Sequence, residues 1–150
     1  MSRLLVLQHL EREQPGLFVK LAEERGLSVY TFRLDLGDSL PEIRNGDLLL
    51  VLGGPMGIRD IGNETYPWLK DEVALIKNAL NQGNRIIGVC LGSQLLAYAA
   101  GGDIEVLREE VSQQPLAEIG WDIVFPQLVE NNSAFPRLLS NPISVLHWHG

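Results

Sequence analysis

The chain has 150 residues, with 19 acidic and 12 basic side chains and a formal charge of −7 at neutral pH. With 45% hydrophobic and 21% charged residues it has the composition of an ordinary folded domain, which excludes a disordered chain. The acidic balance argues against nucleic acid and anionic membrane as partners, which call for clustered Lys and Arg, and the single cysteine excludes an intrachain disulfide framework and suits a reducing, cytoplasmic setting.

Along the chain, short β-type runs alternate with helical periods. Leu4 to Leu7 is a continuous apolar run, as in a strand buried on both faces. Pro15 and Gly16 break it. Leu17, Phe18, Leu21 and Ala22 then recur at helical spacing, with Gly26 as the stop. Leu27 to Leu34 is rich in β-branched and aromatic residues and reads as a second strand. After a polar connection from Asp35 to Asp47, Leu48 to Leu52 is a third strand, running into Gly53-Gly54-Pro55-Met56-Gly57. A loop from Ile58 to Tyr66 follows. Pro67 suits a first helical position, and Leu69, Val73, Ile76 and Leu80 form an apolar stripe that ends at Gly83. Arg85 to Val89 is the fourth strand, with Cys90 directly after it and a helix over Leu91 to Ala100. Beyond Gly101-Gly102 the pattern weakens. Asp103 to Leu107, Ile119 to Phe125 and Ile143 to Trp148 are candidate strands, and Ser133 to Leu139 a candidate short helix.

The longest uncharged stretch, Ile86 to Gly102, has 17 residues and is interrupted by glycines, Ser93 and Gln94. A membrane span needs about 20 mostly apolar residues. The apolar run at the N-terminus is too short for a signal peptide. The expectation is one soluble α/β domain, a flavodoxin-like three-layer sandwich whose mostly parallel sheet carries helices on both faces. In such sheets the site lies beyond the carboxyl ends of the strands. That rule selects His9, Gly53 to Gly57, Cys90 and the C-terminal His-Trp-His-Gly.

Gly88-Val89-Cys90-Leu91-Gly92 has the form G-x-C-x-G between a strand and a helix, the thiol counterpart of the nucleophile elbow. The sharp turn demands small residues two positions either side of the nucleophile. The helix N-terminus favours a thiolate, and the Leu91 amide points to where an oxyanion would form. An isolated cysteine is otherwise a small buried hydrophobe; the flanking glycines point to the nucleophile. The glycine-rich loop after the third strand lets backbone amides approach a ligand. It is neither a phosphate-binding Walker loop nor a dinucleotide fingerprint.

Taken together, Leu52-Gly-Gly-Pro-Met-Gly57, Pro67-Trp68-Leu69, Gly88-Val-Cys-Leu-Gly-Ser-Gln-Leu-Leu-Ala97, Glu118-Ile-Gly-Trp121 and His147-Trp-His-Gly150 resemble the class I glutamine amidotransferases. The nearest likeness is to stand-alone members similar to the glutaminase part of GMP synthase. The resemblance implies that Cys90 attacks the side-chain amide of glutamine, giving a glutamyl thioester and ammonia. It implies an oxyanion hole from the amides of Gly54 and Leu91. Gln94 and the backbone near Met56 would hold the bound glutamine, with His149 and Gly150 lining the same pocket. Glutamine or a γ-glutamyl compound is the implied substrate, with a separate acceptor or synthetase protein as possible partner and oligomerisation left open. No cofactor is called for.

The family supplies its base and orienting acid as a His and an acid two residues later. This sequence holds His9, His147 and His149 and no such motif. Trp148-His149-Gly150 matches the earlier, pocket-forming histidine motif of the family. The expectation is therefore an incomplete domain of low intrinsic activity, with His149 as substitute base an alternative. His147 and His149 face one way on a strand, but no third metal ligand is evident. Glu11, Glu13, Glu23 and Glu24 read as a solvated face, and Trp68 and Trp121 as core or pocket walls. Arg59 and Asp60 lie on the crevice side. Two other functions remain open: a γ-glutamyl peptide hydrolase on the same scaffold, and a catalytically inactive binding domain.

Overall fold

The structure is a computed structural model that describes residues 2–125 and 142–149, with only the backbone of His149. It forms two compact units, Met1–Ile104 and Glu105–Gly150.

In the first unit, strands β1 (Arg3–Gln8), β2 (Ser28–Arg33), β3 (Leu48–Val51) and β4 (Arg85–Gly88) form a parallel sheet in the order β2-β1-β3-β4. Helices α1 (Leu17–Glu24), α2 (Leu69–Asn81) and α3 (Leu91–Ala99) supply the crossovers. Side chains alternate between the faces of a strand, and the two apolar clusters divide accordingly. Leu5, Leu7, Leu49 and Val51 pack with Leu69 and Ile76 of α2 and Leu91 and Leu95 of α3. Leu4, Val6, Leu50 and Leu52 pack with Ala22 of α1. Helices therefore cover both faces, and the unbroken Leu4–Leu7 and Leu48–Leu52 runs reflect burial from both sides. This is the expected three-layer α/β architecture.

The strand ends opposite the glycine-rich loop are tied by Arg3, whose Nε and Nη2 reach the Asp47 carboxylate at 3.0 and 2.5 Å. The Arg44 amide donates to the same carboxylate at 2.8 Å. The hydrogen bond from the Arg3 guanidinium holds the Asp47 carboxyl below its ordinary range, against the opposing effect of burial.

The second unit contains β5 (Glu118–Val124) and β6 (Ile143–His149), antiparallel, with Gly120 opposite His147 and Trp121 opposite Leu146. One face carries Ile119, Trp121, Leu146 and Trp148, and Trp121 is 73% exposed. Of the two expectations for Trp121, core or pocket wall, this excludes the core: a two-stranded ribbon has only one partner strand and cannot enclose its own apolar face. Trp68, in contrast, packs against the α2–α3 core and meets Tyr66 edge-on. The expected strand at Asp103–Leu107 is irregular backbone. An isolated bridge joins Arg108 to Pro115 instead, closing a turn in which Gln113 has φ 57°. The candidate helix at 133–139 lies outside the described residues. Among the described residues, no helix is long and apolar enough to cross a membrane.

Candidate active site

Cys90 stands between the last residues of β4 and the first turn of α3. Its backbone has φ 52° and ψ −113°, a combination that costs an L-residue of order 1–3 kcal/mol. The thiol is exposed. Such a conformation persists only where the surroundings enforce it, and here three contacts do. The Val89 amide donates to the Val51 carbonyl at 2.9 Å, which carries the β3–β4 pairing one residue further. The Cys90 carbonyl accepts the Ser93 amide at 2.9 Å and the Ser93 hydroxyl at 2.6 Å, which starts the helix. Gly88 and Gly92 pack so closely that a Cβ on Gly88 would collide with the Gly92 backbone, and a Cβ on Gly92 with the Val51 carbonyl. The two glycines are required by close approach, since a side chain on either would push α3 off the sheet.

The glycine-rich loop lies against this turn. A Cβ on Gly53 would overlap the Glu13 carboxylate and lie 3.4 Å from the Cys90 Cβ. A Cβ on Gly54 would lie 2.7 Å from the Met56 sulfur, 3.0 Å from Leu91 Cδ2 and 3.2 Å from the His9 Cβ. The structure thus brings Gly54, Met56, Cys90 and Leu91 together. Leu91 takes the first position of α3, where the helix itself provides no acceptor for an amide. Gln94 is half-buried one turn further on, its backbone N–H donating to the Cys90 carbonyl at 3.2 Å. His149 ends β6 in the second unit, and Gly150 lies outside the described residues.

His9 is buried at the end of β1, and each ring nitrogen is engaged. Nδ1 lies 2.9 Å from the Gly53 carbonyl and Nε2 lies 2.8 Å from Glu72 Oε1, with both side chains at 0% exposure. A carbonyl only accepts, so Nδ1 donates to Gly53. Burial disfavours the imidazolium, but the hydrogen bond and charge of Glu72 outweigh it, helped by the Gly53 carbonyl and by Glu13, and His9 holds its proton above the ordinary histidine range.

Two placements change, and one residue is new. Glu13 is not on a solvated helix face. It sits in the β1–α1 loop, half-buried against Gly53 beside Cys90. Asp60 accepts the Gly57 amide at 2.8 Å and so shapes the end of the glycine loop. Glu72 has no counterpart in the sequence expectations, although one signal pointed to it: it lies three residues after Leu69 and four before Ile76, on the buried stripe of α2. An acid at such a position needs a buried partner. In the second unit Glu118 and His147 pair at 3.3 Å. Among the described residues no group of three His, Cys, Asp or Glu is placed to hold a metal ion.

A family model described as glutamine amidotransferase class-I matches residues 17–150. A putative glutamine amidotransferase-like protein of Salmonella typhimurium, YfeJ, is 33% identical over 151 residues, covering 98% of this chain and 59% of the relative. A crystal structure of a glutamine amidotransferase from Thermotoga maritima superposes with a TM-score of 0.76 at 31% identity, over 99% of this chain and 60% of that one. A glutamine amido transferase structure from Methylobacillus flagellatus gives 0.79 at 31% identity, over 98% and 55%. The chain therefore spans somewhat under two thirds of the length of each of these relatives.

Proposed function

The chain belongs to the class-I glutamine amidotransferase family, and from that premise we propose that it carries the thiol half of a glutamine amide-hydrolysing site. The observation that supports this most is the enforced positive φ of Cys90 between a strand and a helix, with glycines two positions either side. Folding energy is spent there to expose one thiol at the start of α3.

In this reading the Cys90 thiolate attacks the side-chain carbonyl carbon of glutamine, forming a C–S bond. The carbonyl oxygen becomes an oxyanion, received by the amides of Gly54 and Leu91. The C–N bond then breaks as the nitrogen takes up a proton and leaves as ammonia. Water attacks the thioester, releasing glutamate and the thiol. Gln94 and the backbone at Met56 form the wall that holds the glutamyl chain. Glu13, beside Cys90, offers an acceptor to the substrate's nitrogen. The released ammonia passes to water or to a separate acceptor protein.

The proton removed from the thiol has to be carried to the departing nitrogen. His9 does not fit this role, because both of its ring nitrogens are already committed inside the protein. The test therefore uses a substrate whose leaving group needs no proton. Glutamate γ-(4-nitrophenyl) ester should give a burst of one nitrophenolate per chain and leave one glutamyl group on Cys90, detected by mass spectrometry of the digested protein. Cys90→Ser should give neither. A burst that survives Cys90→Ser, or a glutamyl group on another residue, overturns the reading.

A further inference from the structure

The buried pair of His9 and Glu72 leads from α2, through the end of β1, to a single peptide group at the site. His9 Nδ1 donates to the carbonyl of Gly53 at 2.9 Å. The amide that follows that carbonyl belongs to Gly54. The chain contains no cis peptide bond among the described residues, so the Gly53 carbonyl and the Gly54 N–H lie in one plane and point in opposite directions. Fixing the carbonyl fixes the direction of the amide. Glycines on both sides of that peptide leave its plane free to rotate unless something holds it, and here the imidazole does.

We propose that Glu72 and His9 are positioning residues for the oxyanion hole, holding the Gly53–Gly54 peptide in plane and polarising it so that the Gly54 amide donates more strongly to developing negative charge. The proposal rests on the reading of Gly54 as an oxyanion donor given above. Donation to a peptide carbonyl strengthens the N–H of the same peptide as a donor, because hydrogen-bonded chains polarise one another. Glu72 completes the chain from the other side, 2.8 Å from Nε2, and orients the ring. Neither side chain reaches solvent, so the pair works on the site from behind and touches no substrate. The charged groups that bear on His9 are Glu72 from α2, Glu13 from the β1–α1 loop and Asp35 from the turn after β2.

Two reactions of the same thiol separate this role from a merely structural one. Acylation by glutamate γ-(4-nitrophenyl) ester passes through an oxyanion, whereas alkylation by iodoacetamide displaces iodide at carbon and forms none. The double variant His9→Leu/Glu72→Met replaces the buried pair with apolar side chains and leaves no lone buried charge. It should lose about 10- to 100-fold in the acylation burst rate, less than the roughly 100- to 1000-fold for an oxyanion donor removed outright, while its alkylation rate stays within about threefold of wild type, as expected for an unaltered thiol. Glu72→Gln keeps a hydrogen-bonding partner on Nε2 and should retain acylation within about fivefold. The Gly54 amide resonance, followed by nuclear magnetic resonance, should shift upfield in the double variant and much less in Glu72→Gln. Unchanged acylation in the double variant overturns the proposal, and so does a parallel fall in both reactions. A wild-type chain with no Cys90-dependent burst overturns the parent reading and this one with it. If the double variant does not fold, Glu72→Gln and the Gly54 resonance decide: no shift in Gly54 when His9 is titrated would overturn the proposal.

Discussion

Cys90 holds its backbone where glycine would be at ease, and that single torsion separates its role from its contribution to stability. A glycine there would relieve the strain at the expense of the thiol. Cys90→Gly should be more stable than Cys90→Ala by about 1 kcal/mol in urea unfolding, since alanine keeps the Cβ that makes the conformation costly. The reverse order would mean that the strain is absent. His9 makes a second prediction, in pH. Its folded proton affinity is raised, whereas the unfolded chain binds that proton with a pKa of about 6.5. The folded state therefore retains a proton that the unfolded state gives up. The stabilisation is complete below the unfolded value and is lost as pH rises through the folded one. Thermal denaturation from pH 6 upward should show stability falling with pH, and the His9→Leu/Glu72→Met variant should lack that part of the slope. An identical slope in both would remove His9 as its source.

At the scale of elements, the decisive contact is α3 pressed against β3 and β4 through Gly88 and Gly92. Because a Cβ on Gly92 would meet the Val51 backbone, Gly92→Ala should cost about 3 kcal/mol of folding stability, toward the upper end of overpacking penalties. Gly57 closes the neighbouring loop with extended backbone and open space at its Cα. Gly57→Ala should fall within about 0.5 kcal/mol of wild type. Equal costs at the two glycines would contradict the packing described here. The same contrast explains what could be read from the sequence. The elbow was legible because its requirements are local: two glycines at fixed offsets, an apolar run before and a helical period after. The two central strands, β1 and β3, were legible because burial on both faces leaves unbroken runs of Leu and Val. Helix α2 was legible from its stripe, although Pro67 turned out to precede the helix by two residues. The His9–Glu72 link was not, because it joins residues 63 apart that no periodicity connects. Glu13 was misjudged for a related reason: its neighbour at Gly53 comes from another loop.

For the whole molecule, both apolar clusters of buried residues among the described residues draw on the first unit, from Leu4 to Ala99. The polypeptide 1–104 should therefore fold by itself, with cooperative unfolding in circular dichroism. Loss of cooperativity in 1–104 would show that its core needs the remaining residues. Acid should attack this unit at the strand ends far from the thiol. The Asp47 carboxyl is held low by Arg3, so its contribution is present above the unfolded carboxylate value of about 3.9 and is lost as pH falls through the lower folded one. Asp47→Asn should shift the acid unfolding midpoint upward and flatten the transition. The sheet order also sets a timetable on the ribosome. Strand β1 is made first yet lies between β2 and β3, so the sheet grows outward from its oldest member as each later strand emerges. A nascent chain advancing by about 5–20 residues each second completes its central strands before residue 90 is made. Cys90 takes up its strained geometry only when α3 has emerged and docked, so within the first unit the reactive group is assembled last, on a scaffold already standing.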